Sequence, residues 1–577
     1  MPITKKPVQP LLPNIRTLTT SPEEMLPRAQ ETAPWNRRST GLLLCVLVIA
    51  MVAILRGIRV GEFSYNVDEA QHAVTGLYFA ALLHDHPAHP IQYTYQFYAQ
   101  YPAIGVIHWP PFFYVFEGLS FLLLGPSVLA ARLAILAFAL LGLSAWFVMV
   151  RELQNDWTAA LATALLALLP ALLLFEKTVM LEVPCLSLCI AASCCWMKYL
   201  LYEKRATLFW FVGFASAALL TKQNSVYLPL LCLTSAVALG RWRLLVKPPV
   251  LWSVLSIALI AGPYYLLAHG VHWQTMAMQL TASKVSGISK FVFYWKHLPE
   301  QLGWLLLALS LLGLVTSPRW DRRSSTLLML AWIGSCYVTF TLIGVKTPRL
   351  TLYWLPPFTY FAAGMLTRMF RRQLLRAIAT GVAAMLLASF FVAAWFYQRP
   401  YVSGYSAAAK AVTQIAPGGI ILYDGDLPGN FIFFLRANDP RRNFLVLRKA
   451  LYAYRVEKAW GSEELVHGQE DIENLLRRDG VRFVAVSEGM RLNFDVQRTL
   501  RDLLRSQQFR LRGRFPIYST ESPSDNLLLY ENMQWAPPTD KFLKIRMLTL
   551  NHDIVVPFSQ FVFTESPAPH PQVVDGK

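Results

Sequence analysis

Long apolar runs, separated by short polar clusters, dominate the first two thirds of the chain. A helix needs about 20 residues to cross a bilayer, within a range of about 17–25. Stretches near that length recur at 41–56, 112–150, 157–174, 185–201, 207–220, 224–239, 249–268, 301–316, 325–343, 351–367 and 375–396. The run 112–150 has room for two helices broken at Gly125-Pro126. From about residue 401 the pattern changes to alternating strand-like and helix-like segments. Ile420–Tyr423, Phe444–Leu447, Phe483–Ser487 and Leu527–Tyr530 read as strands, and Ser406–Gln414, Asp471–Arg478 and Asp495–Ser506 as amphipathic helices. The pattern therefore predicts an all-α polytopic membrane domain followed by a small α/β domain. The expected divisions are an N-terminal arm at 1–40, a transmembrane domain at 41–396, the α/β domain at 401–534 and a Pro-rich tail at 535–577.

Basic clusters orient this arrangement. They fall at 1–38, near Arg151, at Lys198–Arg205, Arg241–Lys247, Arg319–Arg323 and Arg368–Arg376. Cytoplasmic loops carry such an excess of Lys and Arg. The hairpin tips between them then face outward: Glu176–Pro184, Thr221–Ser225, the loop 269–300 and Lys346–Leu350. The first loop, 57–110, and the α/β domain share that side. Two crossings within 112–150 would put Arg151 and Glu182 on the wrong sides, so eleven crossings are expected, with one of those two helices stopping short.

Composition agrees with lipid as the main solvent. Of 577 residues 55% are hydrophobic and only 15% charged, against about 25% charged in soluble domains. The net charge of +18 lies in the loop clusters, which argues against nucleic acid as a partner. All seven cysteines lie in apolar segments, where they read as small buried side chains rather than a disulfide framework. The first apolar run sits behind a long polar arm and reads as a retained helix, not a cleaved signal.

The polar residues that stand out lie on the outward side. Asn66-Val67-Asp68-Glu69-Ala70-Gln71-His72-Ala73 places adjacent acids about a dozen residues after the first apolar run. A solvated helix start accounts for acids there as well. Glu182, two residues before Pro184, sits at the membrane edge, where an ionisable group needs a partner or a function. Lys222, Lys346 and Arg349 occupy two further tips; a structural ion-pair network is the plain alternative. His84-Asp85-His86 with His89 reads as a polar loop end, with zinc binding the less favoured choice. Asp424-Gly425-Asp426 reads as a turn, and the aromatic stretch 92–101 as an interfacial belt.

Together these motifs resemble the GT-C superfamily of glycosyltransferases, in the protein O-mannosyltransferase and aminoarabinose-transferase-like branch. The signatures occur in order: Asp68-Glu69-Ala70-x-x-Ala73, His108-Trp109-Pro110-Pro111, Met180-Leu181-Glu182-Val183-Pro184, Leu219-Leu220-Thr221-Lys222, and Lys346-Thr347-Pro348-Arg349 with Pro356-Pro357. The resemblance covers about 40–396. Gln71 and His72 replace the Arg and Tyr frequent in that branch, and Glu182 replaces a frequent Asp. The resemblance implies transfer of a sugar from a polyprenyl-phosphate donor to an acceptor hydroxyl, with inversion, at the extracytoplasmic face of a bacterial plasma membrane. The acceptor is a glycolipid, a polysaccharide precursor or a protein. Asp68 is then the general base. Glu69 orients it or contacts substrate. Glu182 positions the acceptor or shares a divalent cation with Asp68. Lys222, Lys346 and Arg349, with His72 and His108 as weaker candidates, bind substrate and stabilise the leaving phosphate. A flippase for lipid-linked glycans is the alternative, but the chain lacks the paired repeats common in transporters.

Overall fold

The computed structural model describes residues 35–64, 67–106, 108–281, 285, 287–320, 323–454, 461–548 and 552–561. Most of the expected N-terminal arm, the end of the tail and Asn66 of the acidic motif lie outside them. The membrane part is helical throughout: α1 (Arg37–Leu55), α2 (Asp68–Asp85), α3 (Pro90–Gln100), α4 (Phe112–Leu124), α5 (Val128–Leu153), α6 (Asp156–Ala167), α7 (Pro170–Lys177) and α8 (Glu182–Tyr202). It continues with α9 (Arg205–Leu219), α10 (Leu228–Ala238), α11 (Pro248–Thr281), α12 (Ser289–Leu302), α13 (Trp304–Trp320), α14 (Arg323–Leu342), α15 (Leu355–Arg371) and α16 (Gln373–Phe396).

Six of the described helices are long and apolar enough to cross a membrane, or eight when each sharply bent pair counts as one span. The expected eleven also counted 207–220, 224–239 and 351–367, but α9, α10 and α15 hold only 15, 11 and 17 residues. The two bent pairs account for the step from six to eight. Pro170 opens α7 at 65° to α6, and α12 meets α13 at 114°. Of the two helices in 112–150, α4 has 13 residues and α5 has 26. At 1.5 Å per residue α4 is about 20 Å long, short of a hydrocarbon core of about 30 Å. Helix α8 is buried along nearly its whole length, whereas α1, α11 and α16 turn most of theirs outward.

The two ends of the bundle differ in chemistry. At one end Arg151 bonds Asp156 at 2.8 Å and lies over Trp35, while Arg38 lies over Trp157. Lys198 pairs with Glu152, Arg241 and Lys247 pair with Glu203, and Arg368 donates to the Gly313 carbonyl. The expected basic clusters around Arg38, Arg151, Lys198, Arg241 and Arg368 thus occupy loop ends of one sort. Glu182, Lys222 and Arg349 lie at or beside the other ends of α8, α9 and α15, and Asp68 and Glu69 begin α2.

The α/β domain contains β1 (Val402–Ser403), α17 (Tyr405–Ile415), β2 (Gly419–Asp424), α18 (Pro428–Asn438), β3 (Phe444–Leu447), β4 (Tyr452–Tyr454), β5 (Ser462–Glu464), α19 (Gln469–Arg478), β6 (Val481–Ser487), α20 (Asp495–Leu503), β7 (Phe509–Ser519) and β8 (Asp525–Asn532). Six strands form one mixed sheet in the order β1-β7-β8-β6-β2-β3. Strands β6, β2 and β3 run parallel, with Ile421 opposite both Val446 and Phe483. β2 and β3 are buried at every position, which explains their unbroken apolar sequences. The segment after Gln534 adds a hairpin of β9 (Phe542–Met547) and β10 (His552–Pro557), whose Leu543, Ile545, Ile554 and Val556 join the core of this domain.

This domain is clasped to the loop before α2. Asn430 of α18 accepts from the Phe63 N–H at 3.2 Å and donates to the Phe63 carbonyl at 2.8 Å. The Glu62 carboxylate accepts the N–H groups of Gly404, Tyr405 and Ser406 at 3.3, 3.1 and 3.0 Å. An anion at those exposed donors of α17 is favourable. Gly429 sits so close to α2 that a Cβ there would lie 2.9 Å from the Ala70 Cβ. His84-Asp85 belongs to the same interface: the Asp85 carboxylate accepts from Arg442, from the Tyr93 hydroxyl at 2.6 Å and contacts His84 at 2.9 Å.

Candidate active site

Helix α2 begins at Asp68, so both acids of the motif lie in its first turn. Neighbouring helical residues point about 100° apart, and the two carboxylates have different surroundings. Glu69 points inward and is wholly buried. Its Oε2 accepts the Ser64 N–H at 2.9 Å and its Oε1 the Val179 N–H at 3.1 Å. The Arg132 guanidinium stands 3.6 Å from Oε1. Arg132, buried within α5, also donates to the carbonyls of Ile58 and Glu62 at 2.8 and 3.1 Å. Glu69 therefore joins three segments: the loop before α2, α5 and the loop before α8.

Asp68 is half-buried. Burial raises its pKa above the usual carboxylate value. Arg349 and Lys222 oppose that rise, and the negative charge of Glu182 adds to it. These three are groups from later loops, so the fold brings the early acid and the late bases into one electrostatic neighbourhood.

Glu182 starts α8 and its side chain is fully buried. Its Oε1 accepts from Lys222 Nζ at 2.6 Å and lies 3.8 Å from Arg349 Nη1, while its Oε2 is buried with no hydrogen-bond partner. Lys222 follows α9 in an extended conformation, which aims its side chain back across α8. Its ammonium lies 5.2 Å from the Trp109 ring centroid, a cation–π contact. Arg349, near the start of a short 3-10 helix at Pro348–Trp354, keeps about 31% of its side chain exposed.

His72 lies one turn after Asp68 on the same face of α2. Its Nδ1 is 2.7 Å from the Tyr114 hydroxyl, and its ring meets Trp109 edge-on at 5.6 Å. Its Nε2 is buried without a partner. Burial, then Lys222, Arg349 and His108, hold its pKa well below the ordinary histidine value. His108 is pushed down to about 4 by burial and by Lys222. Both imidazoles are neutral at physiological pH, and they line the cationic side of the site without adding charge.

Lys346 is placed differently from the other predicted bases. Its ammonium donates to the carbonyls of Phe340 and Thr341 at 3.0 and 2.9 Å and to that of Ile343. It closes the C-terminal turn of α14, where a cation suits the exposed carbonyls. Lys222 holds Oε1 of Glu182, so Oε2 is the oxygen that a cation shared with Asp68 would use. Among the described residues no group of three or more His, Cys, Asp or Glu is placed to hold an ion.

Arg132, Tyr114 and Trp109 are site-forming residues that residue type alone did not single out. Arg132 carried a signal, since an arginine inside a 26-residue apolar helix needs a buried partner. Tyr114 sits in an aromatic run and carried none.

Residues 108–266 match the family described as Dolichyl-phosphate-mannose-protein mannosyltransferase. That segment contains His108, Glu182 and Lys222. No curated protein matches the chain. Among solved structures, ArnT from Cupriavidus metallidurans bound to undecaprenyl phosphate is similar at a TM-score of 0.61 and 15% identity, over 85% of this chain and 98% of that one. The same protein in its apo state gives 0.58 at 15% identity, over 87% of this chain and all (100%) of that one. The chain has the GT-C fold. The likeness extends beyond α1–α16, since the 85% of the chain covered exceeds the residues they occupy.

Proposed function

We propose that the chain is a membrane glycosyltransferase that moves a sugar from a polyprenyl-phosphate donor to an acceptor hydroxyl, with inversion at the anomeric carbon. The observation that carries this reading is the meeting of Asp68, Glu182, Lys222 and Arg349 at one end of the bundle. The ArnT structure similar to this chain binds undecaprenyl phosphate, which supports a lipid phosphate as donor.

In the reaction the acceptor oxygen attacks the anomeric carbon. Its proton passes to the Asp68 carboxylate, whose raised pKa makes it a better match for that proton. The bond from the anomeric carbon to the phosphate oxygen breaks, and its electron pair stays on the phosphate. Arg349, partly exposed and only loosely paired, offers a two-pronged donor for that growing charge. Lys222 adds a point charge while holding Glu182. The free Glu182 Oε2 and the His72 Nε2 are left to orient sugar or acceptor hydroxyls. Glu69 acts on the reaction by fixing the start of α2.

The charge map supports an extracytoplasmic site, since the basic loop clusters collect at the opposite helix ends. In this reading the chain lies in a bacterial plasma membrane, α4 stops short of crossing it, and the α/β domain lies outside with the site. The test is transfer by the purified protein from a radiolabelled polyprenyl-phosphate sugar to cell-envelope glycan acceptors. Formation of a new glycosidic bond, abolished by Asp68→Asn, supports the proposal. Passage of the lipid-linked sugar across vesicles with no bond formed would replace it with the flippase.

A further inference from the structure

The α/β domain contains a sizeable cleft that the reaction above does not use. This cleft of about 740 Å³ runs between the edge strand β3, helix α19 and the β9–β10 hairpin, and Pro102 also lines it. Its size falls in the ligand-site range of about 300–1,000 Å³, enough for a short chain of sugar rings.

Its charge is unevenly matched. Three of the four acids in the wall are paired with an arginine, and the fourth, Asp471, has a backbone partner. Asp479 is held by Arg478 at 2.8 Å, and Asp553 and Glu463 share Arg546 at 3.1 and 3.3 Å. Asp471 accepts the His467 N–H at 3.1 Å. Four cations in the same wall have no acid beside them among the described residues: Arg448, Lys449, Arg477 and Lys544. Arg448 donates only to neutral oxygens, those of Tyr454 at 2.8 Å and Pro102 at 3.4 Å. Lys449 reaches only the Met547 sulfur at 3.6 Å and the face of Tyr98 at 5.9 Å. Such like charges facing one concavity repel unless an anion joins them.

The cleft is also joined to the active site. Arg448 follows β3 directly, so this end lies at the carboxyl edge of the parallel strands, where open α/β sheets bind ligands. The carboxyl end of β2 leads to Gly429, which packs on Ala70 beside Asp68 and Glu69. Pro102 opens the segment that reaches His108 and Trp109.

We infer that this cleft binds an anionic saccharide, a glycan segment bearing carboxylate or phosphate groups, and that it recognises the acceptor. The acceptor role rests on the transferase reading; binding itself does not.

The test uses the full chain in detergent and measures binding of a galacturonic-acid oligomer, of phosphorylated mannose and of a neutral maltose oligomer of equal length. The expected result is saturable binding of at least one anionic probe, weakened by salt and absent for the neutral one. The double variant Arg477→Ala/Lys544→Ala binds it at least about tenfold more weakly, while Arg477→Lys/Lys544→Arg keeps binding. Whichever anionic probe binds identifies the anion. Equal binding of neutral and anionic probes, no binding, or equal loss in both double variants overturns the inference. If the anionic probe binds but no donor is consumed, the transferase reading fails and the cleft stands.

Discussion

Asp68 and Glu69 are adjacent in sequence, and the structure separates what their loss does. Glu69→Gln keeps the shape of the side chain and removes its charge. One of the two accepting oxygens, each facing a backbone N–H at 2.9 or 3.1 Å, becomes an amide NH₂ set against another donor. Hydrogen bonds to charged groups contribute about 1.5–3 kcal/mol each. Arg132, with none of its side chain exposed, is left opposite a neutral group. Removing one partner of a buried pair costs about 3–5 kcal/mol. Arg132 keeps its backbone carbonyls, so the lower end of that range applies: about 3 kcal/mol for Glu69→Gln.

Asp68→Asn has none of these consequences. Its carboxylate accepts no hydrogen bond from the described residues, and burial already disfavours its charge. A folded pKa above the unfolded one means that the charged group does not stabilise the fold at neutral pH, so an amide there is neutral or slightly favourable. The rate, however, should fall by about 10²–10⁴, the usual contribution of a general base. The assay pairs apparent melting temperature in detergent with release of polyprenyl phosphate from the donor. Glu69→Gln should melt roughly 5 °C lower, and Asp68→Asn should melt with wild type but turn over poorly. If Glu69→Gln melts like wild type and loses as much rate as Asp68→Asn, Glu69 belongs to the chemistry and the assignment made here is wrong.

Three further outcomes follow from other contacts. Arg349→Lys, which replaces a fork with a point charge, should slow transfer about tenfold or more, whereas Lys346→Met should lower the melting temperature and leave the donor KM unchanged. His72 and His108 stay neutral in the folded chain below the pH near 6.5 where unfolded histidine takes up a proton. The unfolded chain then binds more protons, so stability is full above that pH and is lost as pH falls. Melting at pH 8 and pH 5.5 should show this loss, and it should be smaller in His108→Gln. Gly313→Ala places a Cβ 2.2 Å from the Phe361 carbonyl, whereas Gly334→Ala meets nothing within 4 Å. The first should destabilise by about 1–3 kcal/mol by forcing α13 from α15, and the second should be close to neutral.

Hydrophobic length located the membrane helices well where the helix is straight, as in α1, α5, α8, α14 and α16. It also picked out the shorter apolar helices α4, α9, α10 and α15, which hold 13, 15, 11 and 17 residues, because an apolar run does not show where a helix ends inside it. Four strands and three helices of the α/β domain were legible from alternation and amphipathic pattern. Helix α18 was hidden behind the turn expected at Asp424-Gly425-Asp426, since a turn and a Pro at the first helical position look alike at that point. Strand β7 was missed because it is largely exposed and polar, with Arg510, Arg512 and Arg514 along it. In the site, sidedness brought Asp68, Glu182, Lys222 and Arg349 to one face. It did not separate Lys346, whose ammonium the nearby carbonyls of α14 capture, because that choice depends on where the helix ends.

The placement of Glu69 bears on why the two acids are adjacent at all. A catalytic carboxylate in a half-buried position gains nothing from its own packing, so another group must hold its backbone. Here that group is the next residue. Glu69 ties the first turn of α2 to the loop before α8, which carries Glu182, and to Arg132, which gathers the loop before α2. Glu62 and Asn430 bind that same loop to the α/β domain. A displacement of the domain therefore reaches Asp68 through one short, fully hydrogen-bonded path, and an acceptor held in the outer cleft is registered against the base by the same bonds. Asn430→Ala, which removes both bonds to Phe63, should then slow transfer to a bulky acceptor more than it slows hydrolysis of the donor by water. Equal slowing of both would show that the domain and the site are not linked in this way.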